Sequence, residues 1–192
     1  PDGLIVETGG GVRAVVPTMD GELMVAARVA MGEPELTPAD IPVDAAAMGN
    51  PDRVLDYEIE AGGRLLKVTC LSVGNPHAVV FPEEDVDDFP LLGIGPYVEN
   101  HPLFPNRINF EIANAVDRDT LKARIFERGA GETLSSGTGT TATAVAAKLH
   151  GFTGDTVRVQ VPGGELRITW PGEGEIYLEG PAVEVFEGVW RD

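Results

Sequence analysis

The sequence predicts an α+β fold, strand-rich with one well-formed buried helix. Three observations predict it. Most of the 192 residues fall into short runs that alternate or stay apolar, separated by Gly, Pro, Asn and Asp. Gly137–Leu149 alone carries Ala, Val and Leu on a broad helical face, with Gly151 behind it as a stop. A stretch near each end repeats one pattern of strand, Gly-Gly turn, strand, Gly-containing turn and strand.

In order, strands are expected at Leu4–Thr8, Val12–Val16, Glu22–Val29, Arg64–Ser72, His77–Phe81, Arg107–Ile112 and Leu121–Glu127. Four more follow at Thr156–Val161, Glu165–Trp170, Glu175–Leu178 and Val183–Phe186. Asp87–Asn100 reads as an irregular helix, because Pro90 and Pro96 interrupt it. The repeat sets Ile5–Pro34 beside Val159–Ala182. About 120 residues precede the second copy's hairpins beyond what the first has, so the chain reads as the back portion of a duplicated protein.

Fourteen Lys and Arg stand against 31 Asp and Glu, a formal charge of -17. That balance repels nucleic acid and anionic membrane, so neither is an expected partner. The single cysteine, Cys70, excludes a disulfide framework within the chain and cysteine-based zinc sites, and it reads as a small core residue. No apolar run approaches the roughly 18 residues of a membrane span.

The densest chemistry lies in FERGAGETLSSGTGTTATAVAAKLHG, Phe126–Gly151. It is not a P-loop, since no Gly-Lys-Ser/Thr follows the glycines. It lacks the third glycine of a dinucleotide fingerprint, and neither serine has the glycine two residues earlier that a nucleophile elbow needs. What remains is a helix that opens on Ser136-Gly137-Thr138-Gly139, whose bare backbone N–H groups suit a carboxylate or phosphate. The same residues also serve as plain N-caps of a buried helix. Glu127 and Arg128 just upstream supply an acid/base and a carboxylate clamp. Two further clusters are Asn75-Pro76-His77, with a turn histidine that titrates near neutrality, and Asn109, an amide in an apolar strand that needs a backbone or ligand partner.

GNPH, PNRINFEI, FERGAGETLSSGTGTTATAVAA, VPGGEL and LEGPAVEVFEG, in that order and spacing, resemble the diaminopimelate epimerases. The wider superfamily includes proline racemases, hydroxyproline epimerases and dehydratases, and phenazine-pathway isomerases. The resemblance implies two pseudo-symmetric domains of mostly antiparallel strands, each wrapped around a central helix, with the site between them. It implies a cytoplasmic homodimer that interconverts LL- and meso-diaminopimelate without pyridoxal phosphate, other cofactor or metal. One thiolate removes the α-proton and a thiol on the other face returns it. Carried over by motif, Asn75, Asn109, Arg128 and the backbone of Gly137 and Thr138 hold the amino-acid substrate, while Glu127 and His77 tune the proton-transfer groups.

The family's second-half thiol stands just before GTG, where this chain has Ser136. An alcohol stays protonated at neutral pH unless a strong base serves it. The first thiol, in a Cys-Gly-Asn-Gly-type string, is expected upstream of Pro1. The expected domains are accordingly Pro1–Leu36 as a remnant of the first, Thr37–Pro181 as a complete second, and Ala182–Asp192 as a return segment. The chain alone is expected to be inactive. Two alternatives stand beside this reading. One is a racemase-fold isomerase or dehydratase of another amino acid, such as a hydroxyproline; the other is an inactive amino-acid-binding module.

Overall fold

A computed structural model describes residues 3–8 and 11–189. Its strands are β1 (Leu4–Thr8), β2 (Gly11–Asp20), β3 (Leu23–Gly32), β4 (Tyr57–Ala61), β5 (Arg64–Ser72), β6 (Pro76–Val80), β7 (Asn109–Asp117) and β8 (Thr120–Glu127). They continue through β9 (Gly131–Thr133), β10 (Thr156–Val161), β11 (Gly164–Thr169) and β12 (Ile176–Pro181). Two helices are present among the described residues, α1 (Leu91–Glu99) and α2 (Gly137–Leu149).

The strands join one sheet in the order β1-β2-β3-β12-β11-β10-β8-β7-β6-β5-β4, with β9 paired to β8. Two neighbours, β6 with β7 and β10 with β8, are parallel; the other pairs are antiparallel. The two repeated segments each fold as a three-stranded antiparallel meander. Their third strands, β3 and β12, lie side by side with Ala26 opposite Pro181 and Val29 opposite Leu178.

Alternation along the middle strands sorts side chains to two faces. Val68, Cys70, Ala78, Val80, Phe110, Ile112 and Phe126 point into a core shared with α1. Leu71, Val79, Ala113, Leu121 and Ala123 point into a second core around α2. The sheet bends around α2, which touches β5, β6, β7, β8, β10, β11 and β12. The helix tolerates this burial because its polar side chains close on its own backbone. Thr140, Thr141 and Thr143 donate to the carbonyls of Ser136, Gly137 and Gly139, four residues back.

The expected elements differ from the observed ones in several places. Val183–Phe186 forms no strand; Val185 and Phe186 are more than four-fifths exposed, and alternation alone supplied no neighbour to pair with. The expected Asp87–Asn100 helix shrinks to α1, because Pro90 disfavours a helical residue before it; Pro96 is accommodated inside the helix. Strand β4 went unread, since its Glu58 and Glu60 mask a hairpin whose Ile59 and Ala61 are buried.

Gly95 tests the packing of α1 on β8. A methyl group added there would run into the ring of Phe126. Gly95→Ala is expected to destabilise the fold by about 1–3 kcal/mol through overpacking, despite the better helix propensity of alanine. Urea denaturation measures it, and an unchanged midpoint would show that the contact gives way freely.

Candidate functional site

Strand alternation builds the site. On the α2 face, His77 precedes Val79, Asn109 and Glu111 precede Ala113, and Glu127 follows Ile125. Parallel pairing sets His77 opposite Asn109, and antiparallel pairing sets Phe110 opposite Phe126. The polar residues therefore gather at one end of the three strands. That end is where α2 begins.

The hairpin of β8 and β9 delivers the next groups. Its tight turn closes with the Ala130 amide donating to the Glu127 carbonyl, and Gly129 and Gly131 hold the positive φ values of 80° and 81° that the turn requires. Beneath it, Glu99 accepts from the Gly129 amide and from Arg107, a non-glycine residue at φ 58°. Glu99 thus pins both loops that carry the site.

Ser136 is the N-cap of α2. Its backbone is extended, and its Oγ accepts from the Gly139 amide at 3.3 Å. The same hydroxyl donates to Glu127 Oε2 at 3.1 Å. Gly137 and Thr138 follow in the first turn, where backbone N–H groups have no intrahelical acceptor. They border a cavity of about 590 Å³, together with Asn75, Arg128, Gly74 and Val73. Strands β1 to β3 form the opposite wall, with Thr8, Arg13, Val15, Val29 and Met31. Among the described residues the charged side chains of this lining are two arginines, so a strongly acidic protein presents an arginine-lined cavity.

Six of the eight expected residues fall in two tiers, while Ser136 and Glu127 pair with each other at the start of α2 and do not line the cavity. Asn75, Arg128, Gly137 and Thr138 face the cavity. His77 and Asn109 stand behind them, 1% and 4% exposed. Asn109 spends its amide on backbone: Nδ2 donates to the Pro76 carbonyl at 2.8 Å, and Oδ1 accepts from the Arg128 amide at 2.9 Å. It ties the GNPH turn to the ERGAGE turn. His77 bridges inward and outward, with Nδ1 2.7 Å from Glu111 Oε1 and Nε2 2.9 Å from Asn75 Oδ1.

Glu111 and Arg13 escaped the sequence reading. For Glu111 a signal existed: it lies two residues beyond Asn109, hence on the same face of an otherwise apolar strand. Burial pushes its carboxyl above the usual range; His77 beside it pulls the other way, and the nearby charge of Glu127 adds to the rise. Arg13 gave no comparable signal, because its reach to the cavity depends on the pairing of β2 with β3. Cys70 lies on the other face, buried, and burial drives its thiol far above the ordinary range, with the Glu111 charge adding to it.

The sequence model of the diaminopimelate epimerase family matches residues 69–185. A diaminopimelate epimerase of Desulfovibrio desulfuricans is 43% identical over 97% of this chain and 66% of its own length. One from Acetivibrio thermocellus is 46% identical over 95% of this chain and 64% of its own. The chain thus spans slightly under two thirds of these relatives. Among solved structures, a probable proline racemase from Agrobacterium radiobacter with bound carbonate aligns with TM-score 0.65 at 14% identity, over all of this chain and 62% of that one. A hydroxyproline epimerase from Agrobacterium vitis with bound trans-4-hydroxy-L-proline aligns with TM-score 0.63, also at 14% identity, over 94% of this chain and 57% of that one. These two likenesses establish the fold. The family match covers the strands and the helix that carry Asn75, His77, Asn109, Glu127, Arg128 and Ser136, and by it this chain belongs to the diaminopimelate epimerase family.

Proposed function

We propose that the cavity binds 2,6-diaminopimelate and carries one half of a cofactor-independent proton-transfer site that interconverts its LL and meso forms, a step toward lysine and peptidoglycan precursors. One observation carries the reading: a hydroxyl held by a carboxylate, Ser136 on Glu127, at the mouth of a helix whose first amides border an arginine-lined cavity.

In this reading the substrate α-carboxylate sits on the Gly137 and Thr138 amides, with Arg128 and Asn75 beside it. Removing the α-proton pushes its electron pair into that carboxylate. The helix end and the guanidinium stabilise the charge that develops. Ser136 faces one side of the α-carbon. Its oxygen takes the proton as its own hydroxyl proton passes to Glu127 Oε2. Return of a proton from the opposite side completes inversion and needs a second group there. Among the described residues the opposite wall offers Arg13, which has donors and no acceptor, and Thr8, an alcohol. The relatives' greater length leaves room for that group, and a full-length homodimer is part of the proposal.

Ser136 favours one alternative, a related isomerase or dehydratase of another amino acid, because an alcohol replaces the family's thiol. Calorimetric titration with LL-diaminopimelate, L-proline and trans-4-hydroxy-L-proline separates the substrates. Diaminopimelate is expected to bind, and Arg128→Ala is expected to weaken it about tenfold or more, the loss of a charge-assisted hydrogen bond. A preference for hydroxyproline would replace the substrate. Binding without α-proton exchange in a chain of the relatives' full length would leave an amino-acid-binding module.

Exchange in deuterated buffer tests the chemistry. The 192-residue chain is expected to label LL-diaminopimelate far more slowly than the full-length form. In the full-length form Ser136→Cys should raise the rate by about 10²-fold, since a thiol near pKa 8.5 is a far better matched base than an alcohol. An unchanged rate would remove Ser136 from the α-carbon. Iodoacetamide should leave the native chain unmodified and label Cys70 only after denaturation. Mass spectrometry reads this directly, and native labelling would show that the buried thiol is reachable.

A further inference from the structure

Glu111 is a fully buried carboxylate that the proposed chemistry leaves without a task. Its Oε1 is 2.7 Å from His77 Nδ1, and among the described residues its Oε2 has no hydrogen-bond partner. Such an arrangement is costly, because each orphaned buried oxygen forfeits its hydration. An amide or an apolar residue would fill the strand position at lower cost. The carboxylate has one property that these lack: it accepts hydrogen bonds and never donates.

From that property we propose that Glu111 is a positioning residue, which acts through His77 to fix the orientation of Asn75 at the cavity wall. An acceptor-only partner keeps a proton on Nδ1, and Asn75 Oδ1, which is also an acceptor, requires a second proton on Nε2, so the ring stands as an imidazolium against the carboxylate. Nε2 lies 2.9 Å from Asn75 Oδ1. The Asn75 amide nitrogen then reaches Thr138 Oγ1 at 3.4 Å. A side chain whose two ends look alike in shape is thus held one way round, and the Thr138 hydroxyl proton is left free to turn toward the cavity. The line runs from the interior of β7 to two residues that border the cavity, and every link is a hydrogen bond between side chains.

Packing holds the line in place. Glu111 Oε1 would lie 3.0 Å from a β-carbon at Gly139, so the first turn of α2 closes over it. The ring of His77 is 1% exposed and cannot swing into solvent without opening the sheet. The charged or titratable groups that face Glu111 are His77 from β6 and Glu127 from β8, with Cys70 from β5 also within its field.

The inference rests on the proposed reading of the cavity as a carboxylate site, and its test has an arm that needs no ligand. Nitrogen-15 NMR of the histidine rings is expected to show a proton on both Nδ1 and Nε2 of His77 and one sharp pair of Asn75 side-chain amide signals. Glu111→Gln keeps the shape, but its amide can offer either an oxygen or an NH₂ group to the ring. The variant is expected to fold, to lose the single His77 proton arrangement and to split or broaden the Asn75 signals. It should bind LL-diaminopimelate about tenfold more weakly, the share of one hydrogen bond to a charged group. A wild-type His77 with either ring nitrogen bare would overturn the proposal however the variant behaves. So would a Glu111→Gln protein whose His77 and Asn75 signals match the wild type. If wild type fails to bind LL-diaminopimelate, the proposed substrate is wrong, while the two NMR readouts still decide the role of Glu111.

Discussion

The close approach of α2 to strands β7 and β8 at Gly139 is the constraint on which the site depends. A β-carbon there would come within about 3.0 Å of both Glu111 and Ile125. Glycine inside a helix costs about 1 kcal/mol against alanine, and the cost is met here by letting the first turn lie directly on the strands. That contact brings the Ser136 hydroxyl to Glu127 and sets Gly137 and Thr138 at the cavity edge. It also buries a carboxylate beside the positive end of the helix dipole, where a negative charge is best tolerated.

Burial of the whole helix follows from the same economy of side chains. Threonines that hydrogen-bond their own helix leave no polar group facing the surrounding strands. The polar opening of α2 is therefore its N-terminus, where Ser136 alone closes the Gly139 amide. At the other end Lys148 reaches Asp155 at the surface. The end of α2 at the cavity thus presents oriented amides, with an apolar helix beyond them.

The sequence made legible what local rules determine. Gly137–Leu149 announced itself by composition and by a stop glycine, and the structure keeps those bounds. The paired meanders were legible as a repeat because turn glycines recur at matching offsets. Ser136, Glu127, Arg128 and Asn75 stood out in the sequence because they crowd a helix start and a proline turn. Glu111 was not: one acidic residue in a strand reads as a solvated face until pairing shows that both faces are covered. Val183–Phe186 failed for the converse reason, since β-propensity without a partner strand makes no ladder. Long-range pairing, which no local window contains, separates the two outcomes.

Asn109 shows how the same logic changes the meaning of a residue already singled out. An amide in an apolar strand needs partners, and a ligand is one way to supply them. Both of its atoms instead take backbone groups, Pro76 on one side and Arg128 on the other. The turns that carry Asn75 and Arg128 are thereby held at a fixed separation across β6, β7 and β8. Glu99 repeats the device one layer below, joining Arg107 to the Gly129 amide. Binding groups on loops gain precision when buried polar side chains tie those loops to a rigid sheet, because each tie removes a hinge without adding contact to the ligand. By that measure the cavity wall of Asn75, Arg128, Gly137 and Thr138 is set by a buried layer of Asn109, His77, Glu111 and Glu99.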